Sequence, residues 1–184
     1  MDADALRAAE MAVVGLTVTS GCPAVIVEAA VFHLRGARIT AGPFVYWAAP
    51  DVSLGAVPVR LWPTVRLAPP WREVAERLMS DVLDRSVVVV HEPQRLDVLR
   101  RHLPDWQPAD VLITRELAKL VWPRLDGYDL DALTARTTAD QVSVVGPGAV
   151  AEAQAIALLL GALLPAASDP PSRPRDLSCA VERA

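Results

Sequence analysis

Four side chains in this sequence could together perform acid–base or metal chemistry, namely His91, Glu92, Asp97 and Glu152. His91 directly follows the apolar run 86–90, a pattern typical of a buried strand. In open α/β sheets, ligands bind beyond the carboxyl ends of the strands. Hard divalent ions such as Mg²⁺ take oxygen ligands, which carboxylates supply. A metal site of this kind therefore requires these side chains to converge.

A second set of side chains could bind single-stranded nucleic acid, namely Trp62, Arg95, Arg100 and Arg101. Arginines neutralise phosphates, and tryptophan can stack on bases. The competing interpretation is structural. Large aromatics are usually buried, which favours Trp62 as a cover over the edge of the core, and Asp97 then reads as a solvated helix residue near the two later arginines.

Composition limits the classes of function. The chain has 184 residues, 52% of them apolar, so we expect one domain with a substantial core. The net charge of -4 weighs against strong general nucleic-acid binding. Cys22 and Cys179 lie at opposite ends without metal-ligand spacing, which argues against a zinc site or a disulfide framework. No signal peptide and no apolar run near the length of a membrane span are recognised, so we expect a soluble cytoplasmic protein that contacts no membrane.

Hydrophobic periodicity predicts an α/β fold. The apolar runs predict a three-stranded antiparallel meander, and the rest of the chain alternates helices with buried strands. The predicted strands are the run from Val13 to Val18, then 25–34, 39–47, 86–90 and 109–113, and the predicted helices are 71–85, 94–103, 114–121 and a last helix through Glu152 that ends at Pro165. Thr114 is placed to cap its helix.

The predicted domain covers residues 11–165. Residues 1–10 read as a loosely held amphipathic lead, and the proline-rich residues 166–184 read as a flexible tail. Residues 50–70 hold five prolines and no clear periodicity, which predicts a long surface connection.

Several motifs resemble the DnaQ-like (DEDDh) 3′-5′ exonucleases. The first strand and turn read Leu-Thr-Val-Thr-Ser-Gly at 16–21, where that family has Asp-x-Glu-Thr-Thr-Gly, and the second strand reads Glu-Ala-Ala-Val at 28–31. His91 follows its strand as in the family, and the segment from Trp122 to Leu133, which contains Tyr128, resembles a family packing motif. The resemblance implies a ribonuclease H-like α/β fold, in which helices flank a mixed five-stranded sheet.

The same resemblance places this chain's departures at the positions that hold the family's metals and general base. Leu16 and Val18 stand at the first two acids, Leu96 at the third and Pro147 at the base, whereas Glu152 keeps a carboxylate at the last metal position. Two-metal phosphodiester hydrolysis needs several converging carboxylates. We therefore expect a catalytically degenerate member of the family with no confident catalytic residue, no bound metal and no other cofactor.

Three hypotheses about function follow. The first is a non-catalytic binding or regulatory subunit linked to nucleic-acid processing, with a protein partner or a homo-oligomer. The second is a 3′-5′ exonuclease with a weak or rearranged Mg²⁺ or Mn²⁺ site, formed by His91, Glu92, Asp97 and Glu152. The third is a single-stranded nucleic-acid binding module that uses Trp62 and the arginine group.

Overall fold

A computed structural model describes residues 3–51, 53–79, 83, 85–137, 148–168 and 181–183. Its centre is a twisted mixed sheet with the strand order β3-β2-β1-β4-β5-β6. β1 pairs with β4 and β4 with β5 in parallel, and the other neighbours are antiparallel. The strands are β1 (Glu10–Val18), β2 (Ile26–Arg35), β3 (Arg38–Trp47), β4 (Val87–Val90), β5 (Asp110–Ile113) and β6 (Val181–Arg183).

The sequence prediction of a mixed five-stranded α/β sheet is confirmed by β1 to β5. Runs of valine and isoleucine are buried on both faces of β1, β2 and β4, as expected of central strands. β6 adds a sixth strand beside β5 that the sequence did not predict, because a three-residue strand carries little periodicity. It lies within the segment predicted to be a flexible tail, of which residues 169–180 are outside the described residues.

Helices cover both faces of the sheet. α1, α5, α6 and α7 pack on one face, and α3 and α4 pack on the other. The helices are α1 (Ala3–Ala8), α2 (Trp62–Val65), α3 (Trp71–Leu78), α4 (Pro93–His102), α5 (Thr114–Val121), α6 (Leu130–Thr137) and α7 (Ala149–Ser168).

α7 is the main packing helix of its face. Its apolar side chains, among them Ile156, Leu160 and Leu163, are buried against the sheet and against α5 and α6. Ala149–Ala167 is 19 residues long and apolar enough to span a membrane by length and composition, so the expectation that no apolar run approaches that length was wrong. Half of this stretch is buried inside the protein, which is compatible with the core helix of a soluble protein. α7 also continues past Pro165 to Ser168, because Leu164 and Ala167 pack in the core on either side of the proline.

Two further segments are more ordered than the sequence predicts. Within the predicted lead, Ala3–Ala8 forms α1 and Leu6 has no exposed surface, so this helix is anchored in the core rather than loosely held. Residues 50–70 contain two 3₁₀ turns, Leu54–Ala56 and Val59–Leu61, and then α2. Turns of three or four residues are too short to show periodicity, although their apolar side chains form a small cluster against Val27.

Candidate functional site

A cleft of about 420 Å³ opens where β1 ends, between α4, α6, the first turns of α7 and the turn Val59–Leu61. This cleft lies at the carboxyl end of a central strand, the usual place for ligands in an open α/β sheet. Its charged and hydroxyl side chains are Thr17, Arg60, Arg95, Asp131, Thr134 and Glu152, and Leu16 and Val18 add apolar surface. Polar groups that converge in a concave site make it the candidate site of this protein.

Glu152 is held by two partners at the wall of the cleft. Its Oε1 atom lies 3.0 Å from Nε of Arg95, and its Oε2 atom accepts a hydrogen bond of 3.0 Å from the backbone N–H of Leu16. Burial raises the pKa of Glu152 above the ordinary value of 4.5, while the Arg95 cation and the Leu16 hydrogen bond act in the opposite direction. Both carboxylate oxygens are therefore engaged by this chain's own donors.

A second carboxylate, Glu28, lies beneath the cleft and caps α7. It is 5% exposed, and its Oε2 atom accepts hydrogen bonds from the Thr17 hydroxyl at 2.7 Å and from the Ala149 backbone N–H at 3.0 Å. A negative charge at a helix N-terminus is favourable, because it meets unpaired N–H groups and the positive end of the helix dipole. Sequence reasoning assigned Glu28 no role, although a lone acid in an apolar strand was the available signal.

His91 is turned away from the cleft into the protein. It is 3% exposed, with Nε2 placed 3.1 Å from the Tyr128 carbonyl oxygen and Nδ1 placed 3.0 Å from the Thr114 hydroxyl. Because a carbonyl only accepts, Nε2 carries the proton and Nδ1 accepts from the threonine. Burial lowers the pKa of His91, which keeps the ring neutral. The expectation that Thr114 caps its helix was wrong, because its hydroxyl faces His91 and its side chain makes no cap hydrogen bond.

The other members of the first candidate set also lie apart. Glu92 pairs with Arg115 at 3.2 Å, Asp97 is exposed on α4, and neither residue lines the cleft. Leu96 is buried in the core at 1% exposure, and Pro147 lies outside the described residues. Within the described part of the chain, no three His, Cys, Asp or Glu side chains are grouped so that they could hold a metal ion.

The structure separates the members of the nucleic-acid candidate set. Arg95 lines the cleft, whereas Arg100 and Arg101 lie in the last turn of α4, about 8 Å further along the helix axis, and do not line it. The Trp62 indole N–H donates to the Val57 carbonyl oxygen at 3.0 Å, and the ring packs against the cluster beside Val27. Trp62 is thus placed as a cover over the core edge.

Arg60 is a cleft residue that sequence reasoning missed. It lies in the 3₁₀ turn Val59–Leu61, within the stretch predicted to be a long surface connection. The available signal was an arginine next to the tryptophan already singled out. Placing it in the cleft requires knowledge of how the apolar side chains of this stretch pack against Val27 of β2, which no local pattern supplies.

Stability should fall when the solution is acidified, because buried neutral histidines resist protonation. Burial lowers the pKa of both His91 and His33 below 6.5, and Arg85, whose Nη2 atom lies 3.3 Å from Nδ1 of His33, lowers that pKa further. The unfolded chain therefore binds more protons than the folded protein. The contribution of the two histidines to stability is complete above pH 6.5 and is lost as the pH falls toward their lowered pKa values. Glu152 acts in the opposite direction, because its raised pKa makes its own contribution fall as pH rises above 4.5.

Urea unfolding between about pH 7.5 and about pH 5.5 should show a loss of up to about 1.4 kcal/mol per pH unit for each histidine. His91→Gln should make the dependence on pH shallower. The same slope in His91→Gln and in the unaltered protein would contradict this assignment.

The strand order, the two helical layers and the cleft at the end of β1 define a ribonuclease H-like α/β fold of the kind found in DnaQ-like 3′-exonucleases. No protein-family model matches the chain, and no curated protein matches it either. Among solved structures, Exonuclease X in complex with 5′-overhanging duplex DNA superposes with a TM-score of 0.66 at 20% identity, covering 91% of this chain and 99% of that one.

Two other exonuclease-type structures have the same fold. The superposition on a full-length 3′-exonuclease has a TM-score of 0.66 at 10% identity, and it covers 85% of this chain and 81% of that chain. The superposition on the RNase domain of the yeast Pop2 protein has a TM-score of 0.56 at 11% identity, and it covers 88% of this chain and 78% of that chain. At these identities the likeness establishes the fold, and the chemistry has to be argued from this chain's own cleft.

Proposed function

We propose that this chain is a non-catalytic exonuclease-fold protein that acts by binding, as a subunit or regulator in nucleic-acid processing. The observation that carries the proposal is the state of Glu152. Its carboxylate oxygens are engaged by Arg95 and by the Leu16 N–H, and the apolar side chains of Leu16 and Val18 line the same cleft. An arginine cation therefore stands beside the carboxylate that the exonuclease resemblance assigns to metal.

The donor set of the cleft does not fit a pair of divalent ions. Two-metal hydrolysis places its ions close together between several carboxylates, and Mg²⁺ keeps near-ideal octahedral oxygen coordination. Here Asp131 and Glu152 are the carboxylates among the described lining residues, and the second is already paired. Leucine and valine side chains supply no ligand atoms.

The link to nucleic acid rests on the fold. Exonuclease X, with the same architecture over nearly its whole length, is described in complex with duplex DNA. A protein partner or a homo-oligomer in the cytoplasm belongs to the same proposal, because a protein without cleavage activity must act through what it binds.

A nuclease assay tests the proposal directly. The purified protein should leave 5′-labelled single-stranded DNA and RNA oligonucleotides intact with either Mg²⁺ or Mn²⁺, because the described residues of its cleft supply too few carboxylates to hold two ions. Glu152→Ala should behave in the same way. Cleavage by the unaltered protein that disappears in Glu152→Ala would overturn the proposal and reveal a remodelled metal site.

Metal binding can be measured without cleavage. Ligands that bind the native state raise its thermal midpoint, so millimolar Mg²⁺ or Mn²⁺ should leave the midpoint of this protein unchanged. The matched variant is Arg95→Ala, which releases Glu152 from its ion pair. A rise in midpoint for the unaltered protein would contradict the proposal, whereas a rise confined to Arg95→Ala would support the view that the arginine excludes the cation.

The rearranged exonuclease is not favoured by the placement of its residues. It requires His91, Glu92, Asp97 and Glu152 to converge, yet of these residues Glu152 alone lines the cleft. The single-strand module is likewise not favoured, because the Trp62 indole is bonded to the Val57 carbonyl oxygen and, of the three arginines of α4, Arg95 alone lines the cleft.

A further inference from the structure

Arg95 presents its guanidinium group to the cleft. Its Nε atom is bound to Glu152 at 3.0 Å, while its two terminal amino groups make no hydrogen bond to any described residue. The side chain is 29% exposed and lines the cleft. An arginine held at Nε by a carboxylate is oriented before any ligand arrives, and its terminal edge matches two oxygens of a phosphate group.

Arg60 offers a second cation at the same cleft. It is exposed, lines the cleft from the turn Val59–Leu61, and has no ion-pair partner among the described residues. Glu152 partly neutralises the positive charge of Arg95. Arg60 therefore provides the positive charge that no described carboxylate pairs with. Asp131 lies on the α6 side of the cleft and opposes a second anionic group.

We propose that this cleft binds one phosphate group of a nucleotide or of a strand end, through Arg95 and Arg60 and without a divalent ion. The inference rests on the proposed function, since it needs a cleft in which an arginine stands beside Glu152 in place of a metal. Two arginines against two carboxylates, one of them already paired, fit a single phosphate better than a long polyanionic track. Because the charges of the described lining residues sum to zero, we expect the cleft to accept one phosphate group and not a strand with many.

Equilibrium binding of radiolabelled thymidine 5′-monophosphate in EDTA tests the inference. The nucleotide should bind, and thymidine, which lacks the phosphate, should not compete for the site. Competition by inorganic phosphate as strong as that by the unlabelled nucleotide would support recognition of the phosphate alone. Stronger competition by a short oligodeoxythymidylate that carries a terminal phosphate would support a strand end as the source.

Variants separate the two arginines from general charge effects. Arg95→Lys keeps a cation next to Glu152 but lacks the planar fork, and it should weaken nucleotide binding about tenfold, as should Arg60→Gln. Arg101→Gln is the matched control, because it removes an exposed arginine from the same helix outside the cleft and should leave binding unchanged. Asp131→Asn removes the opposing charge and should tighten binding.

Equal nucleotide binding by Arg95→Lys, Arg60→Gln and the unaltered protein would overturn the inference, and so would binding that needs Mg²⁺ or competition by thymidine. The nuclease assay keeps the two proposals apart. Metal-dependent cleavage overturns the proposed function, whereas no cleavage together with no nucleotide binding in EDTA overturns the phosphate site and leaves the non-catalytic function standing.

Discussion

Gly15→Ala is expected to lower the free energy of unfolding by about 3 kcal/mol and the thermal midpoint by roughly 10 °C. Gly15 lies in β1, directly beneath the first turns of α7. A Cβ atom at this position would lie 2.6 Å from the Ala153 backbone nitrogen and closer still to the Ala149 carbonyl oxygen. Both obstacles are backbone atoms, so the whole helix has to move to make room.

Gly161→Ala is the matched control for this substitution. Gly161 lies within the same helix, and a Cβ atom there would meet nothing within 4 Å. The alanine should therefore stabilise the protein by up to about 1 kcal/mol through helix propensity alone. Urea and thermal unfolding measure both variants, and a Gly15→Ala protein as stable as Gly161→Ala would show that α7 does not approach β1 this closely.

Glu28→Ala is expected to lower the free energy of unfolding by about 3 kcal/mol, although this residue does not line the cleft. The substitution leaves the Thr17 hydroxyl and the Ala149 N–H without their shared acceptor and removes the charge at the start of α7. Each unpaired buried donor costs about 1 to 3 kcal/mol. Hydrogen exchange should show faster opening of the first-turn amides of α7.

Glu28→Gln tests the cause of this loss. Its amide oxygen, placed where Oε2 lies, can still accept from both donors but carries no charge, so the cost should be about half that of the alanine variant or less. Thr17→Val combined with Glu28→Gln should then cost less than the sum of the two single changes, because both act on one hydrogen bond. Strict additivity would argue against the shared acceptor.

Much of the fold follows from local patterns in the sequence. The β-branched runs that became β1, β2 and β4 bury apolar side chains on both faces, and the helical spacing of Val74 and Leu78 marks α3. The predictions failed for segments whose conformation depends on contacts with distant residues and not on a local sequence pattern. The three residues of β6 take their conformation from β5, and the short turns around Arg60 take theirs from the apolar cluster beneath them.

Less of the candidate site was accessible from sequence. The sequence identifies Glu152 as a retained carboxylate, but the residue that engages it, Arg95, is 57 positions away and was predicted to bind nucleic acid together with Trp62. His91 looked like a site residue because it follows a strand, and its actual partners, Thr114 and Tyr128, come from two other segments. Contacts between distant segments are set by packing geometry, which no local signal in the sequence encodes.

The link between Glu28 and Ala149 also has a consequence for biosynthesis. The two residues are 121 positions apart, and a ribosome adds about 5 to 20 residues per second, so roughly 6 to 24 seconds separate their synthesis. Throughout that interval the hairpin of β1 and β2 exists without the helix that covers Val13, Ala30 and Phe32. Until α7 emerges, the nascent chain lacks the cover over this apolar face, so we expect its folding yield to depend on translation speed and chaperone supply.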